Sequence, residues 1–231
     1  NDKGHKMKYQ DTVCGKFIKR PNRFIAEVEI DGRPEVVHVK NTGRCKELLV
    51  DDAVVTLEKA KNPNRKTKYD LIAVIKENLG WVNIDSQVPN KLVKEWLEKQ
   101  GEFTVIKPEY TYGQSRIDFY MEKGEDKYLM EVKGCTLEID GMGYFPDAPT
   151  SRGVKHLKEL IKATKEGYKC SIAFVITMEN IKEVKPNYET HPEFGDVLKE
   201  AYESGVTIYF MPCKVTSDEL WITEQIEYAG D

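Results

Sequence analysis

Hydrophobic and polar residues alternate along the first third of the chain in short runs separated by turn-forming residues. Alternation with a period of two is typical of a strand that buries one face. Asp31-Gly32 and Pro63-Asn64 supply turn chemistry between runs. The pattern predicts a small antiparallel barrel or sandwich with no helix longer than residues 46–49. The five predicted strands lie at residues 24–30, 36–39, 54–57, 69–75 and 81–84.

After residue 86 the hydrophobic period changes from two to 3.6, which indicates helices. The first predicted helix places Pro89 in its first turn, where proline is tolerated, and ends at Gly101. A second begins at Thr150 or Ser151 as N-cap after a loop at residues 140–149, and a third ends at Gly205. The apolar stripe of the first helix consists of Val88, Leu92, Val93, Trp96 and Leu97.

Strand-like runs lie between these predicted helices. The first three predict an antiparallel meander, and the almost unbroken apolar run at residues 170–177 is typical of a strand covered on both faces. The order of elements predicts a mixed α/β fold, with a mixed sheet flanked by helices. The runs are residues 103–112, 115–122, 128–137, 170–177 and 206–211.

Charge is distributed unevenly between the two patterned regions. The whole chain of 231 residues has 35 Lys and Arg against 39 Asp and Glu, a net charge of -4, which argues mildly against nucleic-acid binding. Residues 1–86, however, hold 17 basic and 13 acidic side chains, and residues 87–231 hold 18 and 26. We therefore predict two domains, residues 1–86 and 87–231, of opposite net charge.

Targeting and cysteine patterns favour a cytoplasmic protein. No apolar run approaches the ~20 residues of a membrane-spanning helix. Residues 1–6 are polar and lack the features of a secretory signal, and a tag remnant is one interpretation of them. Five cysteines at irregular spacing, without a C-x-x-C motif, indicate neither a disulfide framework nor a zinc site.

Candidate chemistry lies on the predicted hairpin of residues 115–122 and 128–137. Because side chains alternate along a strand, Glu131 and Lys133 share one face, and Asp118 lies on the partner strand. If the register pairs these positions, two carboxylates and one amine meet, a group suited to Mg²⁺ or Mn²⁺ and to phosphodiester hydrolysis. Chance alternation on a half-exposed strand is the competing interpretation. The position of the hairpin between helices favours a PD-(D/E)xK nuclease core.

A second candidate is an anion site at the start of the second predicted helix. Thr150, Arg152 and Lys155 lie near a helix N-terminus, which presents free N–H groups and a partial positive charge. A capped helix with a solvated basic face is the alternative. His156 in the same turn is interpreted as a packing or capping residue rather than a base.

Basic residues also cluster in the predicted turns of the first domain. Such turns on a small barrel can bind a nucleic-acid backbone, with Phe17, Phe24 or Tyr69 available for base stacking. Solubilising charges and core aromatics are the alternative interpretation. The candidate DNA-binding or phosphate-binding residues are Arg20, Arg23, Arg44, Arg65, Lys66, Arg116, Thr150, Arg152 and Lys155.

Several of these motifs, in this order, resemble the sugar fermentation stimulation protein (SfsA) family. The resemblance rests on residues 19–24, 41–44, 62–66, 115–119, 131–133 and 145–157. It implies an N-terminal OB-fold, a C-terminal PD-(D/E)xK nuclease-like domain, DNA binding and a role in regulating sugar (maltose) metabolism. It would place Asp118, Glu131 and Lys133 in a metal site. Gly134-Cys135 departs from the Asn and Val that the family more often shows.

The expected function is that of a DNA-binding protein with a Mg²⁺- or Mn²⁺-dependent nuclease-like site. Single-stranded, branched and duplex DNA all remain open as partners, as does a homo-oligomeric state, and no membrane association is expected. The main alternative is a non-catalytic DNA-binding transcriptional regulator that retains the nuclease fold. A protein interaction module, with the barrel as platform, is a third alternative.

Overall fold

The computed structural model describes residues 7–231, so the tag interpretation of residues 1–6 lies outside the described residues. The first seven strands are β1 (Met7–Lys8), β2 (Thr12–Lys19), β3 (Ile25–Ile30), β4 (Arg33–Val39), β5 (Val54–Lys59), β6 (Tyr69–Lys76) and β7 (Gly80–Asn83). Helix α1 (Val88–Gln100) follows, then β8 (Val105–Tyr112), β9 (Ser115–Lys123), β10 (Asp126–Cys135), β11 (Leu137–Ile139) and β12 (Met142–Phe145). The rest comprises α2 (Ser151–Lys165), β13 (Lys169–Ile176), β14 (Val184–Pro186), α3 (Pro192–Glu203), β15 (Thr207–Val215), β16 (Glu219–Ile222) and β17 (Ile226–Glu227).

Strands β2 to β6 form a closed five-stranded barrel of the OB type, which confirms the predicted fold of the first segment. The strand order is β4-β3-β2-β5-β6-β7, and the parallel pairing of β4 with β6 closes the barrel. Alternate residues of each strand fill its interior, among them Val28, Val37 and Leu57. Burial of these apolar side chains at roughly 25 cal/mol per Å² is the main stabilising contribution.

Strand β2 was absent from the predicted elements. Its inward-facing positions include Gly15, which does not register as hydrophobic in the sequence. A Cβ atom at Gly15 would lie 3.0 Å from both the Glu29 carbonyl oxygen and Leu57 Cδ1. The glycine therefore permits close packing inside the barrel. Because glycine has no apolar side chain, the sequence lacks the hydrophobic alternation on which the strand prediction depends.

The second segment is built on a mixed sheet, as predicted. Its order is β1-β16-β15-β13-β10-β9-β8, with β10, β13 and β15 parallel and β17 paired to β15. Helix α1 packs on one face of this sheet, and α2 and α3 pack on the other. None of the helices in residues 7–231 has the length and hydropathy to cross a bilayer.

Two features of this region differ from the predicted elements. The predicted loop at residues 140–149 contains β12, which pairs with β11 and β14 in a separate three-stranded sheet. Strand β1 pairs with β16, with Met7 opposite Leu220, so the described chain begins in the second sheet before it enters the barrel. The division into residues 1–86 and 87–231 stays a prediction.

Polar contacts join the barrel to the end of β13 in the second sheet and to β11 in the three-stranded sheet. Thr177 Oγ1 donates to the Asn83 carbonyl at 2.7 Å, and the Asn83 N–H donates to the Thr177 carbonyl at 2.9 Å. Lys76 Nζ lies 2.8 Å from Glu138 Oε1 and donates to the Glu138 carbonyl at 2.6 Å. The Lys76 hydrogen bond is the main cause of the lowered pKa of Glu138.

Replacing Lys76 by Met is expected to lower the free energy of unfolding by about 1–3 kcal/mol at pH 7, since it leaves Glu138 without its partner. A lowered folded-state pKa stabilises the fold above the unfolded pKa of Glu, about 4.3, and this contribution disappears as pH falls through the folded value. Urea unfolding at pH 7 and at a pH near 3 should therefore show a smaller difference at acid pH. Lys94→Met, which breaks an exposed pair with Glu98, should cost under about 0.5 kcal/mol. Equal costs for both variants would contradict this account.

Candidate functional site

The antiparallel ladder between β9 and β10 ends where the candidate residues begin. Backbone pairing runs from Asp126 opposite Lys123 to Met130 opposite Phe119 and stops there. Beyond this point a side chain takes the place of a backbone carbonyl as hydrogen-bond acceptor, since Asp118 Oδ2 accepts from the Val132 N–H at 2.7 Å. Asp118 and Glu131 therefore lie together at the point where the two strands separate, which meets the condition set in the sequence analysis.

Glu131 is a buried carboxylate with an unused oxygen. Its side chain is 3% exposed, and Oε2 has no hydrogen-bond partner. Oε1 lies 3.6 Å from Lys133 Nζ and 3.3 Å from His156 Nδ1. Burial raises the pKa of Glu131 well above its usual range, and the negative charge of the nearby Asp118 acts in the same direction. Leaving a buried carboxylate without a partner costs free energy, and a bound cation would remove that cost.

His156 belongs to this group, although the sequence indicated only a packing or capping role. It lies on the buried face of α2, and its Nδ1 is 3.2 Å from Lys133 Nζ. Burial, followed by the positive charges of Lys133 and Arg152, lowers the pKa of His156 to about 4. The ring is therefore neutral at pH 7, and its tautomer sets whether Nδ1 accepts from the Lys133 ammonium or donates to Glu131 Oε1. A lone histidine on an apolar helix face was the available sequence signal.

Asn90 is a second residue that the sequence did not single out. Its Nδ2 donates to Asp118 Oδ1 at 2.9 Å from the first turn of α1. That turn lies close against β10, because a Cβ atom at Gly134 would come within 2.9 Å of Pro89 Cγ. Gly134 therefore permits the first turn of α1, which carries Asn90, to pack closely against β10.

The side chains present fit a hydrated divalent cation. Within residues 7–231 no group of three or more His, Cys, Asp or Glu side chains is placed to hold a metal. Mg²⁺, however, is commonly held by one or two carboxylates, with waters and substrate phosphates as the other ligands. Asp118 and Glu131, with the free Oε2, supply that minimal donor set.

The predicted anion site is exposed at the start of α2. Thr150 is the N-cap: its Oγ1 accepts from the Gly153 N–H at 3.0 Å, and its own N–H donates to His191 Nδ1 at 2.9 Å. Arg152 and Lys155 are exposed in the first turns of the helix. Their charges reach the buried His156, so the helix start borders the Asp118 and Glu131 group. Arg116 is exposed on β9, two residues before Asp118.

The barrel candidates fall into two groups. The guanidinium of Arg20 donates to four carbonyl oxygens, those of Arg23, Asn41, Gly43 and Arg44, at 2.6–2.8 Å. Arg65 is likewise engaged, since it binds Asp70 at 2.9 Å and donates to Thr67. Both arginines therefore position loops of the chain. The candidates exposed to solvent are Arg23, Arg44 and Lys66.

The loops that carry these side chains lie at the ends of barrel strands. Residues 20–24 join β2 to β3, and residues 60–68 join β5 to β6. In OB-folds the corresponding loops border the surface that binds oligonucleotides. Arg23 lies over the Phe24 ring at 5.0 Å, and half of the Phe24 side chain is exposed. The predicted binding roles stay predictions, but their residues occupy the expected loops.

Fold and site together define a protein in which an OB barrel precedes a restriction-endonuclease-like domain. A family model described as "SfsA N-terminal OB domain" matches residues 18–84, and one described as "Sugar fermentation stimulation protein RE domain" matches residues 87–219. The chain therefore belongs to the SfsA family.

Individual relatives cover nearly the whole chain. A sugar fermentation stimulation protein homolog of Clostridium beijerinckii is 54% identical over 224 residues, 96% of this chain and 99% of that protein. The homolog of Ruminiclostridium cellulolyticum is 53% identical over the same shares of the two chains. The structure of Pyrococcus furiosus SfsA in complex with Ca²⁺ matches with a TM-score of 0.83 and 28% identity, over 95% of this chain and 96% of that one.

Proposed function

We propose that this protein binds DNA and hydrolyses its phosphodiester bonds with Mg²⁺ or Mn²⁺ held by Asp118 and Glu131. The observation that carries the proposal is the convergence of the two carboxylates where the β9–β10 ladder ends, with Glu131 Oε2 buried and unpartnered. The Ca²⁺ complex of the Pyrococcus relative supports cation binding on this fold. Ca²⁺ and Mg²⁺ share a preference for oxygen ligands.

The chain contributes positioning and charge to this chemistry. When bound, a divalent cation polarises a phosphodiester and acidifies water. Asn90 and the Val132 N–H hold both oxygens of Asp118 in place. The His156 ring contacts both Lys133 and Glu131 through Nδ1. It thereby positions the Lys133 ammonium beside Glu131, where the ammonium can offset negative charge that develops on a phosphoryl group.

DNA would bind along two groups of exposed cations, one beside the site and one on the barrel loops. Arg152, Lys155 and Arg116 lie on the second domain, and Arg23, Arg44 and Lys66 lie on the barrel. Contacts of this kind supply affinity without sequence specificity. A cytoplasmic location and the regulation of sugar (maltose) metabolism belong to the same proposal. The family description, sugar fermentation stimulation, supports the link to sugar use.

A non-catalytic DNA-binding regulator is the second candidate function. It is favoured by the sparse donor set, since residues 7–231 offer two carboxylates at this point and no larger cluster. Cleavage assays with supercoiled and single-stranded DNA in Mn²⁺ separate the two functions. Cleavage that Asp118→Asn abolishes supports the nuclease, and binding without cleavage supports the regulator.

The salt dependence of DNA affinity tests the binding surface. Each phosphate contact contributes about 0.9 to the slope of log K against log salt concentration. Lys155→Ala is expected to reduce that slope by about 0.9, because Lys155 is exposed beside the site. Lys162→Ala, on the same helix two turns further on, is the matched control and should leave it unchanged. Fluorescence anisotropy from about 50 to 200 mM salt measures both, and identical slopes for wild type and Lys155→Ala would exclude this surface.

A further inference from the structure

A cleft with both polar and apolar walls lies between the barrel and the second domain, outside the Asp118 and Glu131 group. Its volume is about 380 Å³. Pro89 and Gly134 form part of its wall, and each is next in sequence to a residue of the site, Asn90 and Lys133. Thr150, the N-cap of α2, also lines it. Gly134 lies three residues after Glu131 on β10, so the cleft lies about 10 Å along the strand from the carboxylates.

The barrel side of the cleft is the loop of residues 41–44, and this loop is held rigidly. Asn41 Nδ2 donates to the Ile84 carbonyl at 2.8 Å, and its Oδ1 accepts from the Gly43 N–H at 2.7 Å. The Arg20 guanidinium binds the carbonyl oxygens of Asn41 and Gly43 from behind. Such a loop offers fixed polar groups, which favours a preformed binding site.

The opposite side carries a carboxylate that faces the loop. A Cβ atom at Gly43 would lie 2.9 Å from Asp147 Oδ2, so glycine is what permits this close approach. Burial raises the pKa of Asp147, and the N–H groups of Asp147 and Ala148 act in the opposite direction. The positive charges of Arg44 and Arg20 also act to lower that pKa. The second acidic group of the cleft, Asp85, is already engaged by the Tyr9 hydroxyl at 2.8 Å and by Lys40 at 3.4 Å.

These groups define the chemistry of the ligand. Two carboxylates disfavour a phosphate inside the cleft, whereas Asp147 can accept from an N–H group. Thr42 and Thr136 line the same cleft with hydroxyl groups. Enzymes that take a base out of the stack recognise its hydrogen-bonding edge in a pocket of this kind, and carboxylates accept from the amino group of cytosine.

We propose that the cleft binds one unpaired nucleobase of the DNA strand whose backbone lies at Asp118 and Glu131. The inference rests on the proposed DNA binding and deepens it by naming the substrate class. DNA that contains unpaired nucleotides, as at a bulge or a single-stranded end, places a base in the cleft at no cost in base pairing. A continuous duplex must first break a pair.

The test compares three labelled DNAs by fluorescence anisotropy, with Ca²⁺ present. One is a blunt duplex, the second carries a single bulged cytosine, and the third carries an abasic site at the bulge. Wild type is expected to bind the cytosine bulge about tenfold more tightly than either other DNA. Thr42→Trp fills the cleft from an exposed position and should remove that preference, as should Asp147→Ala. Val50→Trp, exposed outside the cleft, is the matched control and should retain it.

The outcomes separate this inference from the proposed function. Equal binding of the cytosine and abasic bulges overturns the base cleft while leaving DNA binding in place. A preference that survives in Thr42→Trp also overturns it, and this variant keeps the test decisive if Asp147→Ala fails to fold. Absence of binding to all three DNAs overturns the proposed function as well.

Discussion

Replacing Glu131 by Gln is expected to reduce DNA cleavage in Mg²⁺ or Mn²⁺ by about a thousandfold. The variant loses the negative charge that, with Asp118, attracts the cation, and a loss of about 4 kcal/mol in transition-state stabilisation corresponds to that factor. The fold should be retained, because Gln has the same shape and the Oε2 position has no partner to lose. Single-turnover cleavage rates at saturating protein measure the effect.

Glu125→Gln is the matched control for this experiment. Glu125 lies in the exposed turn at the far end of the same β9–β10 hairpin, so the substitution removes an equal charge away from the site. It should leave the cleavage rate within about twofold of wild type. A Glu131→Gln variant that cleaves as fast as Glu125→Gln would show that Glu131 does not hold the metal.

Replacing Arg20 by Ala is expected to lower the free energy of unfolding by about 3 kcal/mol. One guanidinium satisfies four carbonyl oxygens from two loops, and several of those acceptors would be left without a donor. Arg20→Lys should rescue little of the loss, since a single ammonium cannot reproduce the planar fork. Urea unfolding of the three proteins measures these differences.

Arg23→Ala provides the contrast, because Arg23 is exposed in the same loop. It should leave stability within about 0.5 kcal/mol of wild type and weaken DNA binding through lost phosphate contact. The opposite result, in which Arg20→Ala is as stable as wild type and only the salt slope of DNA binding falls, would mean that Arg20 contacts phosphate directly.

The sequence indicated which side chains of the hairpin lie together, because that arrangement is local. Strand alternation placed Glu131 and Lys133 on one face, and the short turn after β9 brought Asp118 to the same level. His156 and Asn90 reach the same point from two helices on opposite faces of the sheet. Their positions depend on how α1 and α2 pack, which the periodicity of either helix alone does not specify.

The basic residues in the predicted turns are of two kinds. Arg20 and Arg65 bind acceptor groups within the chain. Arg23 and Lys66 are exposed to solvent. The sequence shows that a basic side chain is present, but not which hydrogen-bond acceptors surround it. Likewise, the pairing of β1 with β16 joins residues more than two hundred positions apart, beyond the reach of local patterns.

The most direct test of the account is a crystal structure of the protein soaked with Mn²⁺, with anomalous scattering used to locate the metal. We expect an anomalous peak between the carboxylates of Asp118 and Glu131, with Glu131 Oε2 among the ligands of the Mn²⁺ ion. The peak should be lost in Asp118→Asn. A crystal in which Mn²⁺ binds elsewhere while this point stays empty would contradict the central claim that the end of the β9–β10 ladder is a metal site.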